Sequence, residues 1–273
     1  MKDFQDKLVV VTGAGSGIGR ATANLFARLG ADVVFGEKRV ERIGEVEEEI
    51  GKAGGRARGF PLDVAVEQEM EDFARKVIAE KGRVDILVNN AGVSFAGEIK
   101  DIPLPDFHWV MNVVFFGVVH GVHFFLPHMI KARSGHIVNV GSLNSIASFP
   151  FNGPYNAGKS AVLAYSETLR AETAHLGIRV TVICPGLIRT NIANDSKHNI
   201  PNPKTQRYIE GFRRHMARAG TDPMAVAERI VRAIRRNEAV VLYPADSRRI
   251  GFVARHLPGL YRRVIRREYQ KRV

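Results

Sequence analysis

Short runs dominated by valine and isoleucine alternate along this chain with longer segments in which apolar residues return every three or four positions. The runs are KLVVVTG from Lys7, ADVVFGE from Ala31, GRARGFPLDV from Gly55, VDILVNNAG from Val84, GHIVNVGS from Gly135, IRVTVICPG from Ile178 and AVVLYP from Ala239. Most show little polar alternation, the pattern of parallel strands buried on both faces. The intervening segments read as helices: about Gly17 to Leu29, the charged stretch from Glu41, EQEMEDFARKVIAEKG from Glu67, a long apolar segment around Val113 to Phe125, the segment around Tyr155, and DPMAVAERIVRAIRRN from Asp222. Strand and helix in strict alternation predict an α/β fold, a doubly wound parallel sheet of Rossmann type. Residues 1–246 then form a single domain. The polar stretch NIANDSKHNIPNPKTQ from Asn191 carries two prolines and predicts a loop, part of a substrate lid over about residues 191–220. Residues 247–273 stand apart as a basic, amphipathic helical extension.

The apolar segment VMNVVFFGVVHGVHFFLP is interrupted by Asn112, His120 and His123, whose burial in hydrocarbon without partners is costly, so it predicts a buried helix rather than a membrane span. The two histidines have no cysteine or acidic residue near them in that segment, and no metal site is expected. The first residues lack the pattern of a secretory signal. The single cysteine, Cys184, precludes an intrachain disulfide and suits a reducing, cytoplasmic setting.

Chemistry first becomes specific at TGAGSGIG, Thr12 to Gly19, which leaves the first strand and opens the first helix. Residues without Cβ let backbone N–H groups approach a pyrophosphate at a helix N-terminus, where the dipole favours negative charge. Gly13, Ser16, Gly17, Ile18 and Gly19 form that candidate cradle. At the end of the second run, Glu37 is placed to accept hydrogen bonds from a ribose diol and to repel a 2′-phosphate, which argues for NAD. Lys38 and Arg39 argue for NADP, since either can neutralise that phosphate. Both cofactors stay open, with NAD favoured. Tyr155 and Lys159, four residues apart, share one helical face.

Taken together, TGAGSGIG, the Asp63-Val64 pair, NNAG at Asn89 to Gly92, Asn112, Ser142, YNAGK at Tyr155 to Lys159 and PGLIRT at Pro185 to Thr190 resemble the short-chain dehydrogenase/reductase family, in the family's order. The resemblance implies that Tyr155 exchanges a proton with an alcohol or ketone, its phenol pKa lowered by the Lys159 ammonium. Lys159 is also implied to hold the nicotinamide ribose, Ser142 the substrate oxygen, and Asn112 a water relay ending near Lys159. It further implies that Asp63 and Val64 meet the adenine, that Asn90 and Gly92 lie beside the adenosine-side ribose and pyrophosphate, and that Ile188 and Thr190 contact the nicotinamide carboxamide, with Ala91, Pro185 and Gly186 also cofactor contacts. Phe95 and Leu187 are expected to line the substrate cleft.

The implied activity is hydride transfer between a nicotinamide cofactor and a secondary alcohol or ketone, with an apolar substrate of steroid, retinoid or long-chain type. A reductase of small polar carbonyl compounds and a noncatalytic dinucleotide-binding sensor or scaffold are the alternatives. A homodimer or homotetramer is expected from relatives, the apolar helix and the Tyr155 helix supplying its interface. Residues 1–200 carry as many acidic as basic side chains, so the net charge of +12 falls wholly within residues 201–273. In the tail, Ile250, Val253, Leu257, Leu260, Tyr261, Val264 and Ile265 recur at near-helical intervals between arginines. This pattern fits packing on the enzyme's own cleft or on another subunit, or peripheral contact with an anionic membrane. Nucleic acid is disfavoured, because charge is present without a recognised binding motif.

Overall fold

The computed structural model describes residues 3–193, 195–199 and 203–272. Seven parallel strands form one sheet: β1 (Leu8–Thr12), β2 (Asp32–Glu37), β3 (Arg56–Pro61), β4 (Ile86–Asn89), β6 (Gly135–Val140), β7 (Ile178–Pro185) and β9 (Val240–Tyr243). A small second pair joins β5 (Phe95–Ala96) to β8 (Lys197–His198). The strand order β3-β2-β1-β4-β6-β7-β9 reverses direction between β1 and β4, so their C-terminal ends open the crevice in which such sheets bind ligands.

The pleat of β1 explains both layers. Val9 and Val11 point to one face, where they pack with Phe26 of helix α1 (Gly17–Arg28), Val46 of α2 (Glu41–Lys52) and Ile230 of a later helix. Leu8 and Val10 point to the other, joining Phe73 of α3 (Glu67–Lys81). On that second face a segment starts as α4 (Leu104–Met111), widens into one π turn (Asn112–Phe116) and continues as α5 (Gly117–Ala132). It is long and apolar enough to cross a membrane by composition, but Val118, Val122, Phe125 and Met129 of α5 are buried in the sheet-facing core. The candidate catalytic tyrosine lies on α6 (Gly153–Thr173).

Beyond β7 the polar, proline-containing stretch is less loop-like than its composition predicts. Pro203 opens α7 (Pro203–Ala219), where its missing N–H costs nothing, and Ile209 and Met216 are buried. After α8 (Pro223–Arg236) and β9, the tail forms α9 (Ala245–His256) and α10 (Pro258–Gln270), divided at Pro258.

Candidate active site

Gly13 takes φ +67° as β1 ends, and its backbone lies so close to the loop after β4 that a Cβ there would sit 2.7 Å from the Cα of Ala91. Ser16 caps α1 with extended backbone and no capping hydrogen bond from its side chain, so the first helical amides face the crevice with no side chain satisfying them. This is a cradle for a pyrophosphate. Its brace is Asn90, which donates from Nδ2 to the carbonyls of Thr12 and Gly13, both at 3.0 Å, while its N–H donates to Thr12 Oγ1 at 3.1 Å. Asn90 lines the crevice, yet its amide is spent on holding the turn. Gly19 does not line it: a Cβ there would lie 2.2 Å from the Gly13 carbonyl oxygen, so its bareness serves the packing of α1 on the turn.

Glu37, at the end of β2, is buried; Oε2 accepts from the Gly15 N–H at 2.7 Å and Oε1 from the Arg39 N–H at 2.9 Å. One lone pair remains on each oxygen. The two cations beside it are engaged: Lys38 pairs with Asp63 at 2.5 Å and Arg39 with Asp195 at 2.7 Å. His120 on α5 hydrogen-bonds through Nδ1 to the Val64 carbonyl at 2.9 Å and fixes the wall on which Val64 sits.

Ser142 leaves β6 and caps a short turn, its Oγ accepting from the Asn144 N–H at 3.1 Å. It also donates to Asn144 Oδ1 at 3.3 Å, and Asn144 Nδ2 donates to Asn156 Oδ1 at 2.7 Å. Asn156 Nδ2 in turn donates to the Phe149 carbonyl at 2.8 Å. The Ser142 hydroxyl is thereby tied to α6 at the residue next to Tyr155.

On α6, Lys159 is 3% exposed, donates from Nζ to the Val140 carbonyl at 2.6 Å, and stands 5.7 Å from the centre of the Tyr155 ring. Burial drives the Lys159 amine down to about 8. The same burial pushes Tyr155 up to about 12, against a downward pull from Ser142. The expected net lowering of the phenol by the ammonium is therefore reversed: burial in low dielectric dominates at both groups, and the lowering force on Tyr155 comes from Ser142.

Asn112 does not join them. It is exposed and does not line the cleft. The inward positions of the π turn belong to Val113, which lines the cleft, and Val114, which packs with Phe95 and Val110 against Tyr155. Phe95 is likewise core rather than cleft lining, whereas Leu187 does line the cleft.

The space enclosed is about 1230 Å³. It is lined by Gly13, Ser16, Gly17, Ile18, Glu37, Lys38, Asp63, Val64, Asn90, Ala91 and Gly92 at one end. Ser142, Tyr155, Lys159, Pro185, Gly186, Ile188 and Thr190 line it further along. Above Tyr155 the walls are Phe149, Phe151, Met216 and Ile250, together with Ile265 and Glu268 from α10 and Arg272 just beyond it. That helix is pinned across the mouth: Tyr261 donates to the Ser148 carbonyl at 2.6 Å and Tyr269 to Glu98 Oε2 at 2.7 Å.

A family model for short chain dehydrogenase matches residues 7–201. The chain belongs to the short chain dehydrogenase family. Among similar members, the probable oxidoreductase EphD of Mycobacterium bovis is 37% identical over 268 residues; the match covers 96% of this chain and 45% of EphD, so the chain spans less than half the length of that relative. The putative oxidoreductase SadH of Mycobacterium tuberculosis is 32% identical, with 97% and 96% of the two chains covered. A short chain dehydrogenase from Burkholderia phymatum, solved in complex with NAD, is 29% identical and superposes with a TM-score of 0.86 over 92% of this chain and 93% of its own. An alcohol dehydrogenase from Thermococcus sibiricus, solved with 5-hydroxy-NADP, gives 0.74 at 25% identity over 88% and 95%.

Within this short chain dehydrogenase, nothing in the sequence signals the Ser142–Asn144–Asn156 chain, whereas packing of the tail's stripe on the enzyme's own cleft is one of the arrangements its periodicity allows, and α10 adopts it, with Tyr261, Ile265 and Tyr269 recurring every four residues.

Proposed function

We propose that this short chain dehydrogenase moves hydride between NAD(H) and a secondary alcohol or ketone with apolar substituents. The observation that carries the reading is that Ser142, Tyr155 and Lys159 converge at the floor of one cleft whose far end is the glycine cradle. The cradle of Gly13, Ser16, Gly17 and Ile18 suits the cofactor's pyrophosphate, Glu37 its adenosine ribose, Asp63 and Val64 the adenine, with Asn90, Ala91 and Gly92 alongside. Tyr155 and Lys159 suit the nicotinamide ribose, and Pro185, Gly186, Ile188 and Thr190 the carboxamide. When bound, the nicotinamide supplies or accepts the hydride.

In ketone reduction Ser142 donates a hydrogen bond to the substrate oxygen and orients it, and Tyr155 gives that oxygen its proton. Tyr155 remains protonated across the neutral range, being pushed up to about 12. The phenolate left behind is stabilised by Lys159 as long as the amine holds its proton. Alcohol oxidation is the reverse, with Tyr155 receiving the hydroxyl proton. Asn112 has no part in this scheme.

NAD is favoured because Glu37 keeps an acceptor on each oxygen for the ribose diol, while Lys38 and Arg39 are held by Asp63 and Asp195. The apolar walls Phe149, Phe151, Met216, Ile250 and Ile265 favour an apolar substrate. Residues 1–246 act as the catalytic unit, about 191–220 as its lid and 247–273 as a cover. A dimer or tetramer and a cytoplasmic location complete the reading. Absorbance of NADH followed against a panel of apolar and small polar ketones tests it, with NADPH in parallel: turnover of the apolar ketones with NADH supports it, and turnover confined to polar carbonyls or to NADPH contradicts it.

A further inference from the structure

The tail carries two apolar stripes, and the fold uses only one of them. On α10, residues advance about 100° each, which sets Tyr261, Ile265 and Glu268 on the side that closes the cleft, with Arg272 just past the helix end. Leu260 and Val264 fall on a neighbouring side, left 49% and 47% exposed, and Leu257, which caps the helix, is 48% exposed. On α9, Phe252 is 60% exposed, its ring tilted against that of His256 with centroids 4.5 Å apart. Large apolar side chains left this open in succession mark an interaction surface.

Charge identifies the partner. Arg263 and Arg267 border the Leu260–Val264 stripe, and Arg248 and Arg255 border Phe252; all four are exposed, and none forms an ion pair among the described residues. The tail's two acidic residues give them no counter-charge, since Asp246 pairs with Arg249 and Glu268 with Lys271 and Arg272. An apolar strip edged by uncompensated arginines is the pattern of a helix lying in the interface of an anionic bilayer, with guanidinium groups at the headgroups and Leu, Val and Phe below them.

We infer that α9 and α10 dock this protein on an anionic lipid membrane through Phe252, Leu257, Leu260 and Val264, with Arg248, Arg255, Arg263 and Arg267 contacting the headgroups. The docked face adjoins the stripe that forms the cleft mouth. An apolar substrate dissolved in the bilayer thus reaches Tyr155 by a short path along α10. Docking itself does not depend on the hydride chemistry.

The test is co-sedimentation of the full chain with phosphatidylcholine vesicles and with vesicles containing phosphatidylglycerol. Binding is expected only to the anionic vesicles, weakening as salt is raised. Arg263→Gln/Arg267→Gln and, separately, Leu260→Ser/Val264→Ser should each lower the affinity roughly tenfold while melting at the parent temperature. Light scattering should give one oligomeric state for all three proteins. Failure to bind anionic vesicles, or equal binding to neutral ones, overturns the proposal. So does a change of oligomeric state in Leu260→Ser/Val264→Ser, which assigns the stripe to a second copy of the chain.

Discussion

Lys159 donates from Nζ to the carbonyl of Val140 at 2.6 Å, which ties the amine of α6 to the last residue of β6 inside the cleft floor. The bond compensates part of the cost of burying an ammonium, but burial still brings the amine down to about 8, within reach of ordinary assay conditions. Proton transfer by Tyr155 is therefore tied to a neighbour that changes charge near neutrality.

A pH profile follows. Ketone reduction needs the Tyr155 phenol and the Lys159 ammonium together, so kcat/KM should be flat below about pH 8 and fall above it as Lys159 loses its proton. Alcohol oxidation needs the phenolate and should rise with pH. Kinetics in both directions, with Lys159→Arg moving the descending limb upward, check this. A reduction rate that climbs through pH 9 contradicts it.

The same amine should cost stability. Its pKa is about 8 when folded against 10.5 for the ordinary group, so between those values the unfolded chain binds more protons and stability rises with pH. Below about 8 the penalty is full. Lys159→Met should stabilise the protein at pH 7 by about 2 kcal/mol after allowing for the unpaired Val140 carbonyl, and the gain should be gone by about pH 10.5. Calorimetry at the two pH values measures it.

Asn112→Ala should change kcat/KM less than about twofold, because the side chain is exposed and does not line the cleft. Ser142→Ala should lower it on the order of a hundredfold by removing a donor to the substrate oxygen. Steady-state kinetics on the two variants separates the roles that the family resemblance assigns together.

His136 predicts acid lability. Buried on β6, it bonds through Nε2 to Thr181 Oγ1 at 2.8 Å, and among the described residues nothing hydrogen-bonds the buried Nδ1. Burial brings it down to about 3 from 6.5. As pH falls between those values the unfolded chain takes up a proton that the native one refuses, so stability declines. Urea unfolding of His136→Gln should show a shallower decline over that window than the parent.

What the sequence discloses and withholds follows from how far each signal reaches. Valine-rich runs between amphipathic segments suffice for the parallel sheet, since burial on both faces erases polar alternation. The glycine turn and the pairing of Tyr155 with Lys159 are equally legible, because one helix turn sets their neighbours. Asn112 misled because the π turn rotates the register: the inward places go to Val113 and Val114, and no local residue pattern announces that widening. Gly19 looked like a cofactor glycine, but the reason for its bareness is a contact with Gly13. The α10 cover depends on Tyr261 meeting Ser148 and Tyr269 meeting Glu98, pairs separated by more than a hundred residues. Such meetings are products of tertiary packing.

The central claim, that the Tyr155 hydroxyl is the group exchanging a proton with substrate, is tested most directly by single-turnover NADH absorbance with Tyr155→Phe. The variant should bind NADH like the parent and lose hydride transfer to a ketone by about a thousandfold. Parent-like transfer by the phenylalanine variant, at unchanged cofactor affinity, would place the proton donor elsewhere in the cleft.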